Sequence, residues 1–197
     1  AAETLAELDS RLQTQLVEKL DPEKAADIIE EMRPDEAADL LGSLPAETSK
    51  EIIEELHGQD AHEVRQLLRF ERDTAGGMMN TELVTVAEDA TRGEVVDYVR
   101  FHEIPLDQLD DVILTNRDQA LTGTVRLAKL LVADTEQKMS ELVTDKPISI
   151  QADAAEREVF ELFDKYNLRS LTVVDTANRP IGAITVDDVV SHMRASL

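Results

Sequence analysis

The chain reads as an α+β protein of more than one domain, an all-helical stretch of short helices stacked in a superhelix followed by a β-α-β-β-α unit present twice. Three observations predict this. Pro22, Pro34 and Pro45 punctuate a repeat of short acidic and apolar runs. Leu171 to Asp175 and Ile181 to Asp188 are two β-type runs joined by a turn containing Asn178 and Pro180, with a weaker copy about 60 residues earlier: Asp111 to Leu114, a turn at Asn116 to Asp118, and Leu121 to Val125. Between the two regions the adjacent glycines Gly76 and Gly77 interrupt the helical pattern.

Leu5, Leu8, Leu12, Leu16 and Leu20 recur at helical spacing and predict one amphipathic helix from Thr4 to Leu20. The prolines then fall 12 and 11 residues apart. Each suits the first position of a helix, where its missing N–H costs nothing, and acids beside it favour the positive end of the helix dipole. Such units of two or three turns bury too little to stand alone. Stacking would bring Ile28, Ile29, Leu40, Leu41, Ile52, Ile53, Leu67 and Leu68 onto one inner seam. The junction follows at Phe70 to Met79, where the glycines are expected to provide a hinge.

Beyond it the expected order is strand Leu83 to Val86, helix Thr91 to Phe101 with a Thr91/Glu94 capping box, strand Asp111 to Leu114, strand Leu121 to Val125 and helix Arg126 to Leu131. The second copy runs Ile148 to Ile150, a helix from Ala154 to Asn167 capped by Asp153 with Glu156, Leu171 to Val174, Ile181 to Thr185, and a helix Asp187 to Arg194. The first copy carries an added segment, His102 to Leu109.

With 42 acidic against 20 basic residues the formal charge is -22, which repels nucleic acid and anionic bilayers and makes cations the natural ligands. Solvated acidic helix faces would give the same charge. The chain has no cysteine, which excludes disulfides and thiol catalysis and suits a cytoplasmic setting. No run of 18 apolar residues occurs, so the polypeptide is expected to be soluble. The four histidines do not cluster, and no Ser/His/Asp set, Walker loop or dinucleotide turn is present, so no enzyme is expected.

The doubled β-α-β-β-α unit, each copy introduced by a Met-containing turn (Met79, Met139), resembles a tandem pair of CBS domains over residues 78 to 195. Gly182-Ala183-Ile184-Thr185-Val186-Asp187-Asp188 is similar to that family's Gly-x-x-Thr-x-x-Asp signature, in which Thr and Asp hold an adenine nucleotide. The resemblance implies Thr185 and Asp188 as nucleotide contacts, with Arg126 or Lys129 facing phosphate from the first copy, where Thr and Asp are missing. An acidic, Pro-punctuated helical prefix, then Asp73-Thr74-Ala75-Gly76-Gly77-Met78-Met79, then the CBS pair, resembles the cytosolic part of MgtE-type magnesium channels.

That resemblance implies a right-handed α-superhelix over residues 1–72, a first CBS domain over 73–138 and a second over 139–197. It also implies a homodimer through the CBS domains on the cytoplasmic side of the membrane, a transmembrane domain beyond this chain, and no nucleic-acid partner. Its implied ligand is Mg2+, bridging helical and CBS domains in the closed state, with Asp188 the foremost position and Asp187, Asp35, Glu31 and Gly76 beside it. The physics is favourable: two carboxylates about 6 Å apart repel by roughly 3 kcal/mol at an effective dielectric of about 20, so a cation that neutralises such pairs holds lobes together. A millimolar dissociation constant corresponds to only about -4 kcal/mol. Mg2+ keeps several waters and needs one or two carboxylates, so no tight motif is expected. Competing readings stand beside these. Asp35 suits a helix start after Pro34, Asp187 and Asp188 suit capping, and Ala155, Arg157 and Asn167 stand where relatives can carry carboxylates. The alternative function is an adenine-nucleotide sensor that does not depend on Mg2+.

Overall fold

The computed structural model describes residues 2–6, 8, 10–102, 104 and 109–195. The helical part comprises α1 (Ala2–Ala6), α2 (Ser10–Val17), α3 (Pro22–Ile29), α4 (Pro34–Ser43), α5 (Ala46–Glu55) and α6 (Gly58–Leu67). The single helix expected from Thr4 to Leu20 is broken in two. The Leu8 amide closes back on Leu5 O at 3.1 Å and ends α1. The change of direction turns the expected apolar face outward, leaving Leu12 and Leu16 45% and 47% exposed while Val17 is sealed at 1%.

Pro22 and Pro34 each open a helix at its first turn, as their lack of an amide hydrogen favours. Pro45 instead sits one position earlier, as the residue preceding α5. Packing joins alternate helices, α2 to α4, α3 to α5 and α4 to α6. The inner seam is largely as the repeat predicts: Ile29, Leu40, Leu41 and Ile52 are buried, with Ile28, Ile53 and Leu68 packed beside them, whereas Leu67 packs into the second unit's core. Arg65 ties off the end of α5 by donating to Ile53 O and Leu56 O, both at 2.9 Å.

After the short α7 (Ala75–Met78) the first unit consists of β1 (Thr85–Ala87), α8 (Arg92–Phe101), β2 (Asp111–Thr115), β3 (Leu121–Arg126) and a 3-10 turn at Leu127–Leu131 where a full helix was expected. The second consists of α9 (Met139–Leu142), β4 (Ser149–Gln151), α10 (Glu156–Tyr166), β5 (Ser170–Val174), β6 (Pro180–Thr185) and α11 (Val186–Ala195). Each sheet has its first strand parallel to the second and the second antiparallel to the third. Both slip register at the same place, Leu114/Thr115 and Val173/Val174. The Thr91/Glu94 capping box forms. Most of the added segment in the first copy, residues 103 and 105–108, lies outside the described residues.

Two local expectations fail for tertiary reasons. Asp153 does not cap α10: Ala155 precedes that helix without a side-chain cap, and the Glu156 amide donates to Asp73 O of the junction at 2.9 Å. Gly76 and Gly77 are not a hinge but part of α7, held in close packing. A Cβ on Gly77 would lie 2.2 Å from Glu71 O, and one on Gly76 2.5 Å from the Phe70 ring.

The Met-containing turns pack crosswise. Although α7 precedes the first unit, Ala75 donates to Ala154 O and Gly76 to Ala152 O, and Met78 and Met79 join Ile150, Leu171, Val173 and Ile184 in the second unit's core. Met139 of α9, fully buried, belongs to the first unit's core with Val95, Val112 and Val125.

Candidate functional site

Where α4 meets the start of α11, two helix N-termini from the two halves of the chain face each other. Thr185 ends β6 and the chain passes straight into α11. The Asp188 carboxylate reaches back to accept from the Thr185 amide at 2.8 Å, and Thr185 Oγ1 accepts from the Asp188 amide at 3.3 Å. Asp188 Oδ2 also accepts from Asn80 Nδ2 at 3.1 Å. Opposite stands Asp35, in the first turn of α4 directly after Pro34.

Arg33 lies between them. Its Nη2 is 2.8 Å from Asp35 Oδ2 and 3.9 Å from Asp188 Oδ1, and its Nε is 3.4 Å from Glu36. Burial opposes the guanidinium's charge, but Asp35, Glu36, Asp188 and Glu82 outweigh it and raise its pKa. Asp35 Oδ1 is buried with no hydrogen-bond partner. Burial pushes the Asp35 carboxyl up to about 7, with Arg33 pulling down and Asp188 and Glu36 pushing up. Beside this seam opens a cleft of about 360 Å3 lined by Asp35, Asp39, Phe70, Glu71 and Arg72.

Of the residues singled out from sequence, the fold unites Asp35 and Asp188. Glu31 is exposed on the turn after α3, and Asp187 is exposed beside Asp188. Gly76 is buried with its amide given to Ala152 O. Arg126 belongs to the first unit beside Asp111, and Lys129 Nζ donates to Leu142 O at 3.0 Å and Thr144 Oγ1 at 3.1 Å. Sequence reasoning missed Arg33 and Asn80. The order Arg33-Pro34-Asp35-Glu36, a cation immediately before helix-start acids, was the available signal for the first; Asn80 carried none.

Among the described residues no group of three or more His, Asp or Glu could hold a metal ion. The site's donor set is a pair: the unpartnered Asp35 Oδ1 and the loosely engaged Asp188 Oδ1. A pair fits an ion that retains most of its water, as Mg2+ does, and does not fit a tightly caged metal.

Residues 1–73 match the family described as the MgtE intracellular N domain, and residues 139–195 the CBS domain. The magnesium transporter MgtE of Thermus thermophilus is 33% identical over 133 residues, covering 68% of this chain and 30% of the relative. The chain thus spans about 30% of that curated relative's length. A solved structure described as the soluble part of a magnesium transporter shares the fold with a TM-score of 0.88 at 24% identity, over 99% of this chain and 77% of the other. The cytosolic domain of the Mg2+ channel MgtE, solved in complex with ATP, superimposes with a TM-score of 0.87 at 31% identity over 96% of this chain and 78% of the other. An acidic helical superhelix, a cross-packed CBS pair and this likeness along nearly the whole chain together show that the protein belongs to the MgtE family, as its cytosolic domain.

Proposed function

We propose that this chain is a Mg2+-responsive regulatory region of a magnesium transporter, in which one hydrated Mg2+ shared by Asp35 and Asp188 favours the closed arrangement. The observation that carries the reading is the meeting of these two carboxylates, one from each half of the chain, with Asp35 Oδ1 buried and unpartnered. When bound, the ion would supply charge neutralisation, lowering the repulsion between the acidic lobes. Asp188 is pre-set for the role, because its hydrogen bonds to Thr185 and Asn80 fix the carboxylate toward α4. Asp35 is held at the mouth of α4 by Pro34 and Arg33.

In the full-length protein this region would lie on the cytoplasmic side of the membrane, joined to a transmembrane domain and paired with a second copy through the CBS units. Domain limits of 1–72, 73–138 and 139–197 belong to the same proposal. Small-angle scattering with and without millimolar Mg2+ tests it: a decrease in radius of gyration on adding Mg2+ supports the reading, and an unchanged radius rejects it.

Adenine-nucleotide sensing is a second reading, favoured by the relative solved with ATP. It would draw on Thr185, Asp188, Arg126 and Lys129. Here Asp188 and Lys129 are already engaged, so a nucleotide would have to displace Asn80 or the Thr144 contact. Calorimetric titration with ATP and AMP, with and without Mg2+, separates the two.

A further inference from the structure

Resting on that reading, we propose that Arg33 is a built-in counter-ion of the docking seam. Its guanidinium stands between Asp35 and Asp188 and so limits how far the helical region and the CBS pair part when Mg2+ is scarce.

The placement follows from the local chain. Arg33 precedes α4 with extended backbone (φ -62, ψ 143), and its side chain pairs with Asp35 and Glu36 in the first turn of that helix. From there it reaches across the seam. One nitrogen, Nη2, faces Asp35 of the helical half at 2.8 Å and Asp188 of the CBS half at 3.9 Å. A guanidinium carries five donors in a rigid fork, so it can serve Asp35 and Glu36 on one side while still facing Asp188 on the other. The side chain is 36% exposed, so solvent weakens each contact. Four carboxylates, those of Asp35, Glu36, Glu82 and Asp188, nevertheless act on this one cation. Its charge persists at any physiological pH, whereas a bound divalent ion comes and goes with concentration. A second link crosses the same seam without any cation, from Thr81 Oγ1 to Glu63 Oε2 at 3.1 Å, and fixes how α6 seats beside the chain leaving α7. Arg33 neutralises only part of the acid array, so attraction for a divalent ion remains. The resident cation sets how far the lobes part in its absence.

The test compares the 197-residue wild type with Arg33→Met and Arg33→Lys by small-angle scattering, titrated from chelator to millimolar MgCl2, with circular dichroism melting to verify folding. Arg33→Met is expected to be more extended than wild type in chelator and to show a Mg2+-driven compaction at least about twofold larger in amplitude, with Arg33→Lys between them. Adding Asp188→Asn to Arg33→Met should produce no further expansion in chelator, since the pair is already broken. A folded Arg33→Met with the wild-type radius in chelator overturns the inference. If the wild type compacts with Mg2+ and Arg33→Met behaves identically at every concentration, the inference falls while the Mg2+ reading stands. If neither chain responds to Mg2+ but Arg33→Met is expanded, the Mg2+ reading falls and Arg33 remains the bridge.

Discussion

Asn80 Nδ2 donates to Asp188 Oδ2 at 3.1 Å, joining the chain just past α7 to the first turn of α11, 108 residues away. Asn80 is 6% exposed, and its backbone pairs in both directions with Ala183. Replacing it by Ala would leave a site the backbone still holds but with Asp188 short of one donor. We expect Asn80→Ala to lose about 1–2 kcal/mol of unfolding free energy in urea. Asn80→Asp, which sets a second carboxylate against Asp188, should lose more.

The Asp35 carboxyl, pushed up to about 7 by burial, gives the protein a pH dependence of definite sign. A carboxyl whose folded pKa lies above its unfolded value binds more protons when folded, so stability falls as pH rises from about 4 through about 7 and then levels. Without divalent ions, melting temperatures from pH 5 to 8 should fall, and Asp35→Asn should flatten that slope. A wild-type melting temperature that rises across this window would contradict the assignment.

Gly77 and Gly76 should rank in that order when changed to Ala. The Cβ of Gly77→Ala meets fixed backbone, Glu71 O at 2.2 Å and Arg72 Cα at 2.7 Å, so the junction must move. Gly76→Ala meets mainly the Phe70 ring, which can turn away, although Ala152 O lies at 3.0 Å. Denaturant unfolding should show a loss of about 2–3 kcal/mol for Gly77→Ala and a smaller one for Gly76→Ala.

Met139, at 0% exposure, fills the core of the unit that precedes it in sequence. Met139→Ala should cost about 2–5 kcal/mol there. Hydrogen exchange is the discriminating measurement: protection should drop at the amides of β2 and β3 while β5 and β6 keep theirs.

Much of this architecture was legible because it is written in local chemistry. Pro22 and Pro34 announce helix starts through their missing amide hydrogen, and Thr91 with Glu94 announces a cap that forms. Asn178, at φ 61, marks a turn whose conformation Asn tolerates better than most residues. What stayed hidden is settled by distant partners. The cap of α10 comes from Asp73 O, which displaced the Asp153 expected there. Leu12 and Leu16 have helical spacing yet face outward, because periodicity reports a face and not which face is covered. At the seam, Asp35 and Asp188 come from the family resemblance, since as acids at helix starts they read equally well as caps. Arg33 has a local signal in the acids that follow Pro34, but its reach to Asp188 stayed hidden because that carboxylate is more than 150 residues away.

The crossed seating of α7 and α9 has a mechanical corollary. A tug on the superhelix is delivered through α7 into the sheet of β4 to β6 and to α11, bypassing the sheet of β1 to β3 that comes next along the polypeptide. That intervening sheet acts as a brace whose own footing, Met139, is lent by its neighbour. Cutting the chain just ahead of Met139 would thus leave both fragments with an unfilled hole, the first unit without Met139 and the second without α7, and the lever would have lost its fulcrum.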